Sequence, residues 1–371
     1  MLAVLALVLL AQDTPLEFPV PSGFDITKPC RLIRTSDGKE IPCQLNTKRA
    51  FTILFVAKNE AAEYRLESAA PTEFPKIDFA DDGKALTLRS GEKNILTYHI
   101  AAVEQPDPVF SRSGYIHPIW TPAGKVVTND SPPNHLHHHG IWSAWTSSEF
   151  EGRKTNFWES KEKQGRVETR EGLKLFSGPV FSGFHSSHRF IALNSPEGPT
   201  QVLEEFWEVR AFALPGRFVI DLLSTQMCST GKPLIIREYR YGGIGFRGPA
   251  DWEGKEGVEF LTSEGKNRVE GHATRAKWVV AWGKVGGQEA SVGFLGHTSN
   301  FRDPQPLRIH PSEPFFNWAV PQGGDFSIEP GKPYVARYRF IIADGKLDKE
   351  SMDRAWTDFN TAPAVRISAS K

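Results

Sequence analysis

The sequence predicts an all-β protein, a large antiparallel β-sandwich with one short helix near its C-terminal end. Three observations lead there. Runs rich in β-branched and aromatic side chains recur along the chain, the composition that suits a pleated, half-buried surface. Gly, Pro, Asn and Asp punctuate these runs, with 32 Gly and 27 Pro available to turn the chain between strands. Helical spacing of apolar residues occurs in one place only.

Taken in order, Phe18 to Pro29 is punctuated by Pro, and strand signals then begin. Phe51–Val56, Ala85–Arg89 and Asn94–His99 are expected strands, with Asp81-Asp82-Gly83 and Ser90-Gly91 as hairpin turns. Glu104 to Pro108 connects them to a histidine-rich region. Thr200–Leu214 alternates, placing Leu203, Trp207, Val209 and Ala211 on one face and Glu204, Phe206, Glu208 and Arg210 on the other. Leu214-Pro215-Gly216-Arg217 turns the chain, and Phe218–Gln226 returns as the second arm. Lys277–Val285, Ala290–Gly296 and Tyr334–Ala343 read as further strands, the first two joined at Gly286-Gly287. The helix follows Asp348, a capping acid, with Met352, Ala355, Trp356 and Phe359 as its apolar face. No repeat, low-complexity tract or linker interrupts the chain, so residues 12–371 read as a single β-sandwich domain.

Composition excludes some function classes. The 44 basic and 44 acidic residues cancel, leaving no global field for nucleic acid or an anionic membrane surface. Residues 1–11, MLAVLALVLLA, are too short an apolar run to span a bilayer and resemble the core of a secretory signal cut after Ala11. The expected location is therefore secreted or periplasmic. Cys30 and Cys43 are near enough in sequence to bridge a hairpin in an oxidising compartment, and three separate thiols fit equally well. No C-x-x-C occurs.

The densest chemistry lies in Asn134-His135-Leu136-His137-His138-His139-Gly140, which holds four of the chain's eleven histidines. Trp120, Trp142, Trp145 and Trp158 flank it. Imidazoles move protons near neutral pH, and indole faces cover sugar C–H surfaces. On an extended backbone His135 and His137 point the same way, which leaves room for a divalent metal. No carboxylate follows at the spacing a cupin-like site requires, and no G-x-S-x-G supports a serine nucleophile.

Three more stretches concentrate polar groups. Ser113–Trp120 contains His117, Leu234–Arg247 contains Arg237, Glu238, Tyr241 and Arg247 among glycines, and His297–Pro304 contains His297, Asn300 and Arg302. Arginine clamps carboxylates or sugar hydroxyls, and a tyrosine supplies an acid or base. The catalytic candidates are His117, His135, His137, His138 and Tyr241. The substrate-binding candidates are Trp142, Arg237, Glu238, Arg247, His297, Asn300 and Arg302. All four stretches are expected to line one concave face, with His135 and His137 inward and His139 outward.

The phrases SGYIHPIWTPAGKVVT, DSPPNHLHHHGIW, REYRYGGIGFRG, NFRDPQPLRIHPSEPFF and PGKPYVARYRF occur in that order. Together they resemble the bacterial PmoA family (DUF6807), from about residue 95 to about residue 360. That family's usual loop is similar to D-H-P-H-H-R-G. His135, His137 and His138 match its histidines, while Asn134, Leu136 and His139 depart from it. The resemblance implies secretion and a sugar-degrading setting. It does not imply methane oxidation, because residues 12–371 contain no run of about 20 apolar residues such as a membrane oxygenase subunit needs. A weaker, architectural resemblance is to galactose-mutarotase-like supersandwiches, which again implies a sugar.

The expectation is a secreted carbohydrate-active protein performing acid/base chemistry as a hydrolase, lyase or epimerase. A non-catalytic carbohydrate-binding or cell-surface module is the alternative, and a histidine-ligated metalloenzyme the third. The partner is a carbohydrate. Neither the sugar, the bond acted on nor the oligomeric state follows from sequence.

Overall fold

The computed structural model describes residues 13–46 and 51–370. Residues 1–11, read above as an export signal, lie outside the described residues. The expected strands form, with ends displaced by a residue or two. They are Thr52–Lys58, Ala85–Ser90, Lys93–His99, Thr200–Leu214, Arg217–Cys228, Trp278–Val285, Gln288–Gly296 and Tyr334–Asp344. The Gly286-Gly287 turn has φ of 56° and 80° at its two residues, the left-handed backbone of a tight two-residue hairpin that glycine adopts without a Cβ clash. The helix is Lys349–Asn360. Asp348 caps it, accepting the Ser351 N–H at 2.7 Å. Among the described residues no helix is long and apolar enough to cross a membrane.

Residues 12–371 were read as one domain, whereas the structure divides the chain into two compact units. The smaller comprises the N-terminal residues to Lys76, Gly178–Phe181 and Asn360–Lys371. It pairs Asp13–Pro19, Thr52–Lys58 and Cys43–Asn46 in one sheet. Its second sheet contains Arg366–Ala369, Glu63–Glu67, Arg31–Arg34 and Glu40–Ile41. Leu16, Ile53 and Phe55 from the first meet Leu32, Tyr64 and Leu66 from the second in one apolar cluster. Leu32 pairs with Ile41 and Ile33 with Glu40. The same register carried two residues further sets Cys30 opposite Cys43, and both are free thiols.

The larger unit spans Ile77–Ser177 and Ser182–Phe359. One eight-stranded antiparallel sheet runs Leu307–Ile309, Phe315–Trp318, Gly243–Arg247, Ile141–Ala144, Tyr115–Ile119, Lys93–His99, Ala85–Ser90 and Ile77–Asp81. A second sheet of eight contains the long hairpin Thr200–Leu214 and Arg217–Cys228 at its centre. Leu96, Ile116 and Phe246 of the first sheet pack with Trp207, Val209 and Phe340 of the second, the inner faces of a sandwich. A four-stranded sheet, Arg153–Thr155, Ser148–Phe150, Leu234–Ile236 and Phe326–Ile328, completes the unit.

The alternation of Thr200–Leu214 holds, with Leu203, Trp207, Val209 and Ala211 buried and Phe206 exposed. The inner face also carries a charge, because Glu205 is fully buried on it. Its carboxylate accepts from Ser224 Oγ at 2.6 Å and Gln226 Nε2 at 2.9 Å, and meets His188 Nδ1 at 3.0 Å. His188 Nε2 in turn lies 2.9 Å from the Tyr98 hydroxyl. A buried carboxylate persists only when its lone pairs are met in this way.

Candidate functional site

Arg247 organises the site. It ends the strand Gly243–Arg247, which pairs with Ile141–Ala144. Its backbone N–H donates to Gly140 O at 2.9 Å, and its carbonyl accepts from Asn129 N at 3.0 Å. It therefore anchors both ends of the histidine loop. The loop folds as two successive turns, His135 N to Pro132 O at 2.8 Å and His138 N to His135 O at 2.9 Å, closed by Ser131 N to His138 O at 2.8 Å. The extended backbone expected for His135 and His137 is thus replaced by turns. Their rings meet edge-on with centroids 5.8 Å apart, and His135 stacks instead on His138 at 4.5 Å.

Gly140 is needed where the loop rejoins the sheet. A Cβ there would lie 2.2 Å from Ile116 O, closer than any side chain can approach a carbonyl.

The Arg247 side chain is fully buried and fills the loop. It donates to Glu313 Oε2 at 2.9 Å, to Asn134 Oδ1 at 3.2 Å, to Glu253, and to His138 Nδ1 at 3.4 Å. Because His138 Nδ1 accepts from a guanidinium, His138 is neutral with its hydrogen on Nε2. Burial, reinforced by the charges of His137 and His135, holds His138 well below the usual imidazole range.

Four residues that the sequence reading passed over complete the cluster. Glu313 also accepts from Asn134 Nδ2 at 2.6 Å and lies 3.8 Å from His135 Nδ1. Burial and a hydrogen bond to Glu313 raise Glu253 above the usual carboxylate range. Burial raises Glu313 too, but the Glu253 hydrogen bond and the Arg247 charge outweigh it and leave Glu313 lowered. His310 is pushed down to about 4 by burial and the neighbouring Arg308 charge. Its Nδ1 accepts the N–H groups of Ser312 and Glu313 at 3.3 and 3.0 Å, and its ring sits 6.0 Å from His135. His310 and Glu313 both lie within the phrase NFRDPQPLRIHPSEPFF, the signal that could have found them. Glu159 meets His137 Nδ1 at 3.0 Å, and this hydrogen bond lowers its pKa. His135 Nδ1 is buried and has no hydrogen-bond partner.

Aromatic rings back the cluster from beneath. His138 stacks on Phe315 at 4.7 Å and touches Trp142 at 5.3 Å and Trp158 at 6.2 Å. Trp142, a substrate-binding candidate, is fully buried, as are the flanking Trp145 and Trp158. Trp142 therefore supports the imidazoles from below. The half-buried ring in reach is Tyr241, which contacts Trp158 at 5.1 Å and Tyr239 at 5.0 Å. Burial and the neighbouring Tyr239 raise Tyr241 to about 12, so its hydroxyl stays protonated at neutral pH and serves as a donor.

His139, expected to face outward, is buried. Its Nδ1 lies 2.6 Å from Asp130 Oδ1, while Tyr115 donates to Asp130 Oδ2 at 2.7 Å. Burial lowers His139, outweighing the hydrogen bond to Asp130 that favours its charged form. His117 stands near this second group. Its Nδ1 pairs with Thr128 Oγ1 at 2.9 Å, and burial pushes it down to about 4.

The remaining predicted residues do not join the cluster. Arg237 pairs with Glu149 at 2.6 Å and Asp325 at 2.8 Å on the surface, and Glu238 is exposed beside them. His297 packs on Phe359 at 5.2 Å and bonds to Ser299 Oγ at 2.8 Å. Asn300 holds the backbone of Arg337 through 2.8 and 2.9 Å bonds. Arg302 donates to the carbonyls of Val320, Gly324 and Asp325 at 2.8–3.1 Å, fixing a loop. Of the predicted residues, the histidine loop, Tyr241 and Arg247 share one set of contacts, while Arg237, Glu238, His297, Asn300 and Arg302 lie outside it. Among the described residues no group of three or more His, Cys, Asp or Glu side chains is arranged to hold a metal ion.

The model of a family of unknown function, DUF6807, matches residues 85–357. The chain belongs to the DUF6807 family. The match supports that part of the earlier resemblance and says nothing for the PmoA label. No curated protein matches.

Among solved structures, this DUF6807 member is similar to a heparan sulfate lyase HepC mutant from Pedobacter heparinus. The TM-score is 0.35 at 9% identity, over 76% of this chain and 38% of that one. It is similar to GH36 α-galactosidase AgaA from Geobacillus stearothermophilus, with TM-score 0.36 at 10% identity over 76% and 42%. It is also similar to a galactose mutarotase related enzyme from Lactobacillus acidophilus, with TM-score 0.29 at 8% identity over 73% and 97%. The chain thus spans well under half the length of the lyase and the galactosidase. Likenesses at this level assign no activity.

Proposed function

We propose that this DUF6807 member is a carbohydrate-active enzyme that performs acid/base chemistry on a sugar at the Arg247-centred cluster, in a hydrolase, lyase or epimerase reaction. One observation carries the reading. Glu253, a carboxyl raised by burial and by its hydrogen bond to Glu313, stands in the same cluster as His135, an imidazole lowered by burial whose Nδ1 has no partner. A carboxyl shifted toward its acid form beside an imidazole shifted toward its base form suits proton transfer to one oxygen and from another atom. Glu253 donates to the departing or ring oxygen, and His135 accepts from a hydroxyl, a carbon or water. Asn134 and Tyr241 orient hydroxyls, and the Tyr241 ring offers the aromatic face for the sugar. Export, read from residues 1–11, belongs to the same proposal.

The test is product analysis by NMR over a glycan panel with the wild type, His135→Ala and Glu253→Gln. Each variant is expected to lower turnover by at least about 100-fold with the fold intact. Full activity in both variants overturns the assignment. Binding without turnover, unchanged in His135→Ala, would favour the non-catalytic module instead.

A further inference from the structure

Beside the cluster lie two arginines that no carboxylate among the described residues neutralises. Arg308 lies on the strand Leu307–Ile309, two residues before His310. Its Nη1 donates to His272 Nε2 at 3.1 Å, and its Nε is buried without a partner. Arg240 is exposed, its guanidinium carbon 5.4 Å from the Tyr241 ring centroid and 5.9 Å from that of Tyr239. Gln322 fixes the two stretches together, its Nε2 donating to the carbonyls of Arg240 at 2.9 Å and Leu307 at 3.1 Å.

Among the described residues neither arginine has a carboxylate partner. Arg237, Arg247 and Arg339 all have one. Burial and the charge of Arg240 both depress Arg308, and the Gln322 amide ties the backbones of the two stretches together. Neighbouring guanidinium groups without a carboxylate counterion form a site for an anion, and the guanidinium fork favours two oxygens in one plane.

We infer that Arg240 and Arg308, framed by Tyr241 and His272, bind the anionic oxygen group, carboxylate or sulfate, of an acidic saccharide. The location supports a sugar-borne anion. His310 senses the Arg308 charge and sits 6.0 Å from His135, so a sugar held by its anion at the arginines presents its ring toward the imidazoles. Tyr241 borders both places, its ring 5.1 Å from Trp158 on one side and under Arg240 on the other. The inference rests on the carbohydrate reading of the cluster, and it names the class of sugar.

The experiment is NMR titration with glucuronate, glucose 6-sulfate, glucose and inorganic sulfate against the wild type, Arg240→Gln, Arg308→Gln and the surface control Arg237→Gln. The two acidic sugars distinguish a carboxylate from a sulfate. The wild type and the control are expected to prefer an acidic sugar over glucose by roughly tenfold or more, and each site variant to lose that preference with glucose binding unchanged. Arg240 is exposed, so Arg240→Gln keeps the test available if Arg308→Gln does not fold.

Equal binding of glucose and both acidic sugars by the wild type overturns the inference, as does a preference that survives both site variants. Inorganic sulfate competing as well as the acidic sugars overturns the saccharide assignment. The catalytic reading fails separately. Selective binding lost in Arg240→Gln, with no turnover of any glycan, keeps this site and removes the enzyme; turnover indifferent to the anionic group does the reverse.

Discussion

Replacing Arg247 by Met tests the electrostatic core of the site. The methionine fills most of the buried volume but removes the cation that Glu313 and Glu253 share and the donor to His138 Nδ1. Breaking a buried pair on one side costs about 3–5 kcal/mol, because the partner stays behind without compensation. With a urea dependence of up to about 3 kcal/mol per M, the unfolding midpoint should fall by at least about 1 M.

The loss should also depend on pH. In the wild type Glu313 is held below its ordinary value of 4.5. Its stabilisation is therefore complete above that value and is lost as pH falls through its lower folded value. In the variant, burial without Arg247 raises both carboxyls, so the variant gains stability as pH falls and they take up protons. The gap between the two proteins should narrow between about pH 7 and about pH 5. Urea unfolding followed by tryptophan fluorescence at both values measures this, since Trp142 and Trp158 contact His138. A midpoint within about 0.3 M of the wild type, or a gap equal at both pH values, would refute the reasoning.

Two further outcomes are expected. Gly140→Ala places a Cβ 2.2 Å from Ile116 O and 3.0 Å from His117 Cβ, forcing the histidine loop off its neighbouring strand at about 1–3 kcal/mol. Calorimetry should show a lowered Tm, and an unchanged one would mean that the loop does not seat there. In NMR titrations His117 and His310 should protonate near 4. Because the unfolded chain takes up these protons near 6.5, stability should decline as pH drops from about 6.5 toward 4; midpoints near 6.5 would contradict the burial that depresses them.

The strands were legible because their signal is local. Period-two alternation and Gly-Gly or Asp-Gly turns act within a few residues, so Thr200–Leu214 and the hairpin at Gly286-Gly287 could be placed from sequence alone. The helix end at Asp348 was equally local. The histidine loop was visible as composition, because so many imidazoles between Pro133 and Gly140 stand out from the background.

What those imidazoles do was decided by contacts distant in sequence. His138 is fixed by Arg247, His137 by Glu159 and His135 by its stack on His138 and its neighbours Glu313 and His310. Carboxylates leave no periodic trace when each comes from a separate loop, so Glu159, Glu253 and Glu313 could not be assigned to the site from spacing. Direction was hidden for the same reason. Trp142 and His139 went inward because a sheet and Asp130 wait there, whereas Arg237 and Arg302 were taken up by surface acids and loop carbonyls. A side chain's chemistry is written in its own letter of the sequence. Its protonation state depends on burial and on the charges that the folded chain brings within a few ångströms, and only the tertiary structure supplies those.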